Sequence, residues 1–141
     1  MDEAKREVVR SWLLNALDDL GLARLAAEHD RAFPAGVLYH CQQAAEKALK
    51  GFLVFWDQPP PRTHNLVVLL QQTAAIEPGF LTREEAAARL TPYATRYRYP
   101  AAPFIRPDAE QVDEALDDAA CIYNQVLAFL PPEVHPGAEI S

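Results

Sequence analysis

The chain has 141 residues, a formal net charge of −7 and apolar side chains at 50% of its positions. This length fits one domain with a sizeable core, and the apolar fraction is too high for a disordered chain. The acidic balance argues against general nucleic-acid binding, and no apolar run approaches the ~20 residues of a membrane span. With no export signal and two cysteines in apolar helical patterns, we expect a cytoplasmic protein with reduced thiols.

Apolar residues recur every three or four positions in long segments, which predicts amphipathic α-helices. The first helix is expected over about residues 2–28. The second is expected over about residues 34–57, where three consecutive prolines end it. The third is expected over about residues 64–76, with Thr63 as its N-terminal cap.

The second half of the chain predicts two further helices. A capping box at residues 82–85 (T-R-E-E) marks the start of a shorter fourth helix, which is interrupted at Thr91-Pro92 and stops by Pro100. After an extended connector, Asp108 is expected to cap the last helix. The predicted architecture is an all-α, up-down bundle of four to five helices over residues 1–130, followed by a disordered tail over residues 131–141.

The second helix has a polar side that allows two interpretations. At 100° per residue, Gln43, Glu46, Lys47 and Lys50 lie opposite the apolar stripe. The ordinary interpretation is a solvated surface with one favourable Glu46–Lys50 pair, worth a few tenths of a kcal/mol. The alternative is a ligand site. Charge is consistent with it: residues 34–106 hold 8 basic and 5 acidic side chains, a net of +3, whereas residues 107–141 hold 8 acidic and no basic ones.

Three short motifs follow one another in the middle of the chain. They are Q-Q-A-A-E-K-A-L-K at residues 42–50, R-T-H-N-L at residues 62–66 and T-R-Y-R-Y-P at residues 95–100. In this order and spacing they resemble the HEPN domain family over about residues 10–130. The resemblance implies a helical bundle, usually dimeric, similar to the domain that accompanies nucleotidyltransferases. Small members are often encoded beside a minimal nucleotidyltransferase as toxin–antitoxin components, and nucleotide binding has been proposed for the group.

A different branch of that family consists of ribonucleases that carry Arg-x4–6-His near the last helices. Here Arg96 and Arg98 are followed by no histidine until His135. The spacing does occur between Arg24 and His29, but in the first helix, which is the wrong place. We therefore expect no catalytic residues of this kind. A metal-independent ribonuclease toxin remains the first alternative, and a purely structural interaction bundle remains the second.

Other chemistry has little support in the sequence. The four histidines lie in separate segments without the spacing of a zinc site, and no glycine-rich phosphate-binding loop is present. We expect no metal and no cofactor.

The expected function is therefore a non-catalytic binding or regulatory protein that pairs with a nucleotidyltransferase, binds a nucleotide or another phosphate-bearing ligand, or does both. Apolar residues beyond the narrow stripes, such as Trp12 with Leu17 and Ile122 with Phe129, predict a homodimer. If the second helix, the 62–66 segment and the 95–100 segment converge, their cations form an anion site. The candidate ligand-binding residues are Gln43, Glu46, Lys47, Lys50, His64, Arg96, Tyr97 and Arg98. The bland rivals are separate surface ion pairs, a capping role for His64, and packing of Tyr93 on Tyr97.

Overall fold

A computed structural model describes residues 2–29, 33–97 and 103–136. These residues form an all-helical bundle, as the apolar periodicity predicts, and contain no strand. Short 3-10 helices at Pro78–Arg83, Thr91–Ala94 and Pro132–Val134 join or follow the α-helices. The five α-helices are α1 Glu3–Glu28, α2 Pro34–Phe55, α3 Leu66–Ile76, α4 Glu84–Leu90 and α5 Ala109–Ala128.

The central element is α2, which packs against all four other α-helices. Its most extensive contact is with α1, whose buried stripe includes Val9, Leu13 and Leu20. The two helices approach closely at Gly51, where an added Cβ would lie 3.0 Å from the Cβ of Trp12. A glycine inside a helix costs about 0.5–1 kcal/mol relative to alanine, and here the missing side chain makes room for α1.

Three helix starts were predicted from capping residues, and one prediction is confirmed. Asp108 caps α5 in a capping box with Gln111. Thr63 does not cap α3. The Asn65 side chain accepts from the N–H groups of Val67 and Val68 instead, so the helix begins two residues later than predicted. The capping box at residues 82–85 is also wrong, because the Thr82 hydroxyl donates back to the Gly79 carbonyl within a 3-10 helix.

The short α4 is held to α5 by a buried carboxylate. Both carboxylate oxygens of Asp118 accept hydrogen bonds from the Arg89 guanidinium, each at 2.8 Å. This bidentate contact raises the pKa of Arg89, so the guanidinium stays charged. As predicted, helical geometry changes at Thr91, where α4 gives way to the 3-10 helix Thr91–Ala94.

Helical structure continues beyond residue 130. Val134 lies in the 3-10 helix Pro132–Val134, is fully buried and belongs to the core. Arg10 of α1 donates a hydrogen bond to the carbonyl of Glu133. The rest of the expected tail, residues 137–141, lies outside the described residues, so the domain boundary at residue 130 stays a prediction.

Two residues that suggested an uncovered surface on the last helix are covered within one chain. Ile122 is fully buried, and the Phe129 ring packs on Phe80 with centroids 5.0 Å apart. On α1, by contrast, Val8, Leu22 and Leu25 are about half exposed. None of the described helices is both long and apolar enough to cross a membrane.

Candidate ligand-binding site on α2

Glu46 is the centre of a polar cluster that is buried rather than solvated. Its side chain is only 7% exposed, and that of Lys50, one turn later, is 11% exposed. Lys50 Nζ donates to Glu46 Oε2 at 3.0 Å, and Gln42 Nε2, one turn earlier, donates to Glu46 Oε1 at 3.1 Å. We call Gln42, Gln43, Glu46, Lys47 and Lys50 the polar face of α2.

The expectation of a solvated helix surface is wrong for Glu46 and Lys50, since the segment leading into α3 packs over them. Gln42, which is fully buried, also donates from Nε2 to the backbone carbonyl of His64 at 3.0 Å. Gln43 completes the network by donating to Gln42 Oε1 at 2.7 Å. Glutamines 42 and 43 therefore tie the polar face of α2 to the start of the third helix.

His64 faces Glu46 across this junction. Its Nδ1 lies 2.8 Å from Glu46 Oε1, while the His64 side chain is 63% exposed. Burial alone would raise the pKa of the Glu46 carboxyl. The hydrogen bonds from His64, Gln42 and Lys50 outweigh burial and hold that pKa below its ordinary value of 4.5. The Glu46 carboxylate is therefore ionised at neutral pH and accepts a proton of the imidazole.

A second carboxylate organises the other edge of the polar face. Asp19 of α1 is 12% exposed and accepts from Lys47 Nζ at 2.6 Å through Oδ2. Its other oxygen, Oδ1, lies 2.9 Å from His40 Nδ1. Asp19 and Glu46 thus have the same kind of partners, namely one lysine and one histidine each.

The structure brings together some of the predicted site residues and separates others. Gln43, Glu46, Lys50 and His64 share one network, whereas Lys47 turns to Asp19 and not to Glu46. The bland possibility that carboxylates pair these cations separately is therefore realised for both lysines.

The predicted residues before the last helix form an aromatic group. The Arg96 guanidinium lies over the Tyr93 ring, 5.7 Å from its centroid. Tyr97 stacks on Tyr93 at 6.2 Å, and Tyr93 is only 6% exposed, so packing is the main role of that ring. Among the contacts of the described residues, none joins Arg96 to Glu46. Arg98 lies outside the described residues.

Sequence reasoning missed three residues of this site. Gln42 belongs to the 42–50 motif but was counted with neither side of the helix, although its place directly before Gln43 could have marked it. Asp19 and His40 gave no signal in the sequence, because Asp19 lies 28 positions from Lys47 and only the packing of α1 on α2 joins them. Within the described residues, no group of three or more His, Cys, Asp or Glu side chains could hold a metal ion.

Known proteins decide the family. The family model of the HEPN domain matches residues 9–129. The chain belongs to the HEPN domain family. A solved HEPN-like relative in fold and sequence is described as the crystal structure of TT1696 from Thermus thermophilus. It is 31% identical to this HEPN chain, with a TM-score of 0.71, over 86% of this chain and 98% of that one. A search among curated proteins finds no match. The resemblance predicted from three short motifs is confirmed.

Proposed function

We propose that this HEPN domain is a non-catalytic binding and regulatory protein that holds a nucleotide or another phosphate-bearing ligand at the polar face of α2. The observation that carries the proposal is the set of charged and amide side chains around Glu46, on a helix that is otherwise buried in the core. Lysine and glutamate are seldom buried unless they are paired, and strongly perturbed carboxyls such as Glu46 are concentrated at functional sites.

The lysines have unused hydrogen-bonding capacity. Lys47 and Lys50 each direct one N–H to a carboxylate, Asp19 and Glu46 respectively. An ammonium group has three donors, so both lysines can also donate to phosphate oxygens without leaving these carboxylates. The exposed ring of His64 lies at the edge of the same network and adds positive charge whenever it is protonated.

Calorimetric titration with ATP at low salt tests this proposal. We expect weak binding that weakens further as salt rises, because the attraction is between partly exposed charges. Lys47→Met and Arg96→Ala should each reduce the affinity. Arg24→Ala is the matched control, because it removes one positive charge from an exposed α1 residue whose influence reaches Cys41 on the opposite side of α2.

Two outcomes would contradict phosphate binding. Absence of heat from every protein would leave the polar face of α2 with a structural role only. Equal affinities of Lys47→Met, Arg96→Ala and Arg24→Ala would mean that ATP responds to overall charge and not to this site. Either result would favour the alternative of a structural interaction bundle.

We further propose that the protein is a homodimer and that it pairs with a nucleotidyltransferase as part of a toxin–antitoxin-like module. Family membership supports pairing, and the exposed apolar residues Val8, Leu22 and Leu25 of α1 supply apolar surface for a protein contact. Co-expression with a nucleotidyltransferase encoded beside this chain, followed by size-exclusion chromatography, tests the pairing. Separate elution of the two proteins would contradict it.

One contact favours a second candidate, a metal-independent ribonuclease. The Glu46 carboxylate orients an exposed imidazole, His64, as a general base requires. The phosphate-stabilising arginine is missing from this arrangement, because Arg96 lies over Tyr93. Incubation with single-stranded RNA separates the candidates: we expect no cleavage above background. Cleavage that is lost in both His64→Ala and Arg96→Ala would favour the ribonuclease.

A further inference from the structure

A cavity of about 350 Å³ opens between α1 and α2. Four α1 residues, Val8, Ser11, Trp12 and Asn15, line it together with Lys47 of α2. Its volume lies at the small end of the range of about 300–1,000 Å³ that small-molecule sites occupy. Apart from Lys47, none of its residues belongs to the site proposed above.

The aromatic wall of this cavity is fixed in place by the α1–α2 contact. Trp12 Cβ lies so close to Gly51 that a Cβ at that position would be 3.0 Å away. The next residue, Leu13, is fully buried, which sets the rotation of α1. Trp12 is only partly buried and therefore offers apolar ring surface to the cavity. Indole rings bind flat aromatic molecules by stacking.

The polar wall has a definite pattern of hydrogen-bonding groups. The Ser11 hydroxyl donates to the Glu7 carbonyl at 2.8 Å, and Asn15 Nδ2 donates to the Ser11 carbonyl at 2.9 Å. Helix α1 therefore uses the hydroxyl proton and one amide proton, whereas Ser11 Oγ and Asn15 Oδ1 remain acceptors. Lys47 donates one N–H to Asp19 and keeps two further donors.

We propose that this cavity binds a small planar heteroaromatic molecule that carries both an N–H donor and a ring-nitrogen or carbonyl acceptor. The ring stacks on Trp12, its donor bonds to Asn15 Oδ1, and its acceptor receives a hydrogen bond from Lys47. No phosphate is needed for these contacts, so the inference does not rest on the proposed phosphate site.

A small molecule fits this cavity better than a partner helix. The lining on α1 spans only two turns, from Val8 to Asn15, and contains just two apolar side chains. A docked helix is held by apolar anchors over at least two of its own turns, for which this lining offers too little apolar surface. The polar groups between Val8 and Asn15 instead match a ligand with its own donors and acceptors.

The chain contains two tryptophans, so Trp56→Phe leaves Trp12 as the single indole reporter. Adenine is the probe, because it is flat and carries amino donors and ring-nitrogen acceptors; indole, which has no ring acceptor, is the comparison. We expect adenine to change Trp12 fluorescence saturably and indole to bind more weakly. Asn15→Leu should weaken adenine binding about tenfold, the effect of one lost hydrogen bond. Asn124→Leu, at an exposed asparagine of α5, should leave it unchanged.

Three results would overturn the inference. The first is no saturable change with adenine. The second is equal affinity for adenine and indole, which would mean an apolar cleft without polar recognition. The third is equal adenine affinity in Asn15→Leu and Asn124→Leu. Failure of ATP to bind through its phosphates leaves all three readouts intact, so the two proposals fail independently.

Discussion

At the scale of single residues, Glu46 holds the polar face of α2 together, because it accepts hydrogen bonds from Gln42, Lys50 and His64. Its pKa is lowered below 4.5 in the folded protein, so the native state favours the ionised form. The resulting stabilisation is fully present above the unfolded-state pKa. It is lost as the pH falls through the folded-state pKa.

We therefore predict that Glu46→Gln destabilises the protein at about pH 7 by about 1–3 kcal/mol, through weakened hydrogen bonds to a charged group. The difference from the wild type should shrink below about pH 4.5, where the wild-type carboxylate becomes protonated as well. Urea unfolding at a series of pH values measures both effects. A difference that stays constant down to about pH 3 would show that the Glu46 charge contributes nothing.

Residue identities could be predicted further than residue partners. The 42–50 motif pointed to Gln43, Glu46, Lys47 and Lys50, and the structure joins three of these to His64. It could not predict that Lys47 pairs with Asp19, because that contact depends on the rotation of α1. Helical periodicity placed Glu46 opposite the apolar stripe, but it carries no information about the segment that covers the residue.

At the scale of elements, the contact between α1 and α2 depends on the absence of a side chain at Gly51. We predict that Gly51→Ala destabilises the protein by about 1–2 kcal/mol, because overpacking against Trp12 and Leu13 exceeds the gain in helix propensity. Gly21→Ala is the matched control. No atom lies within 4 Å of its added Cβ, so it should stabilise by about 0.5–1 kcal/mol. Thermal unfolding compares the two; a stabilised Gly51→Ala would mean that α1 moves away freely.

The attachment of α4 to α5 gives a second prediction at this scale. Arg89→Met leaves the Asp118 carboxylate, 9% exposed, without its bidentate partner. We expect a loss of about 1–3 kcal/mol of unfolding free energy. Adding Asp118→Asn should recover part of it, because a neutral amide is less costly to bury than an unpaired charge. If the double variant is less stable than Arg89→Met, repulsion from the unpaired carboxylate is not the cause.

Element positions were predictable where one local rule acted alone. The prolines after α2, the Asp108 cap and the change of geometry at Thr91 each follow from a single steric or hydrogen-bonding constraint. Errors arose where two side chains competed for the same backbone groups. Thr63 and Asn65 could both cap α3, and Asn65 does. Thr82 could cap α4 or bond within the preceding 3-10 helix, and it does the latter.

At the scale of the whole molecule, the exposed apolar residues concentrate the case for a dimer on α1. We predict a homodimer in solution, with a mass of twice 15.7 kDa by light scattering. Leu22→Lys and Leu25→Lys should shift the protein towards the monomer, because they place charges on apolar surface. Leu81→Lys, at an equally exposed leucine of the Pro78–Arg83 helix, is the control. A wild-type mass near 15.7 kDa at micromolar concentration would contradict the prediction.

The central claim is that the polar face of α2 is a binding site, and an NMR titration of the ¹⁵N-labelled protein with ATP tests it most directly. We predict that the largest shift changes occur in the amides of residues 43–50 and in the amide and ring signals of His64. Signals from α5, whose exposed face carries Glu110, Asp113 and Asp117, should change little. No change at any signal, or changes confined to residues away from α2 and His64, would contradict the claim.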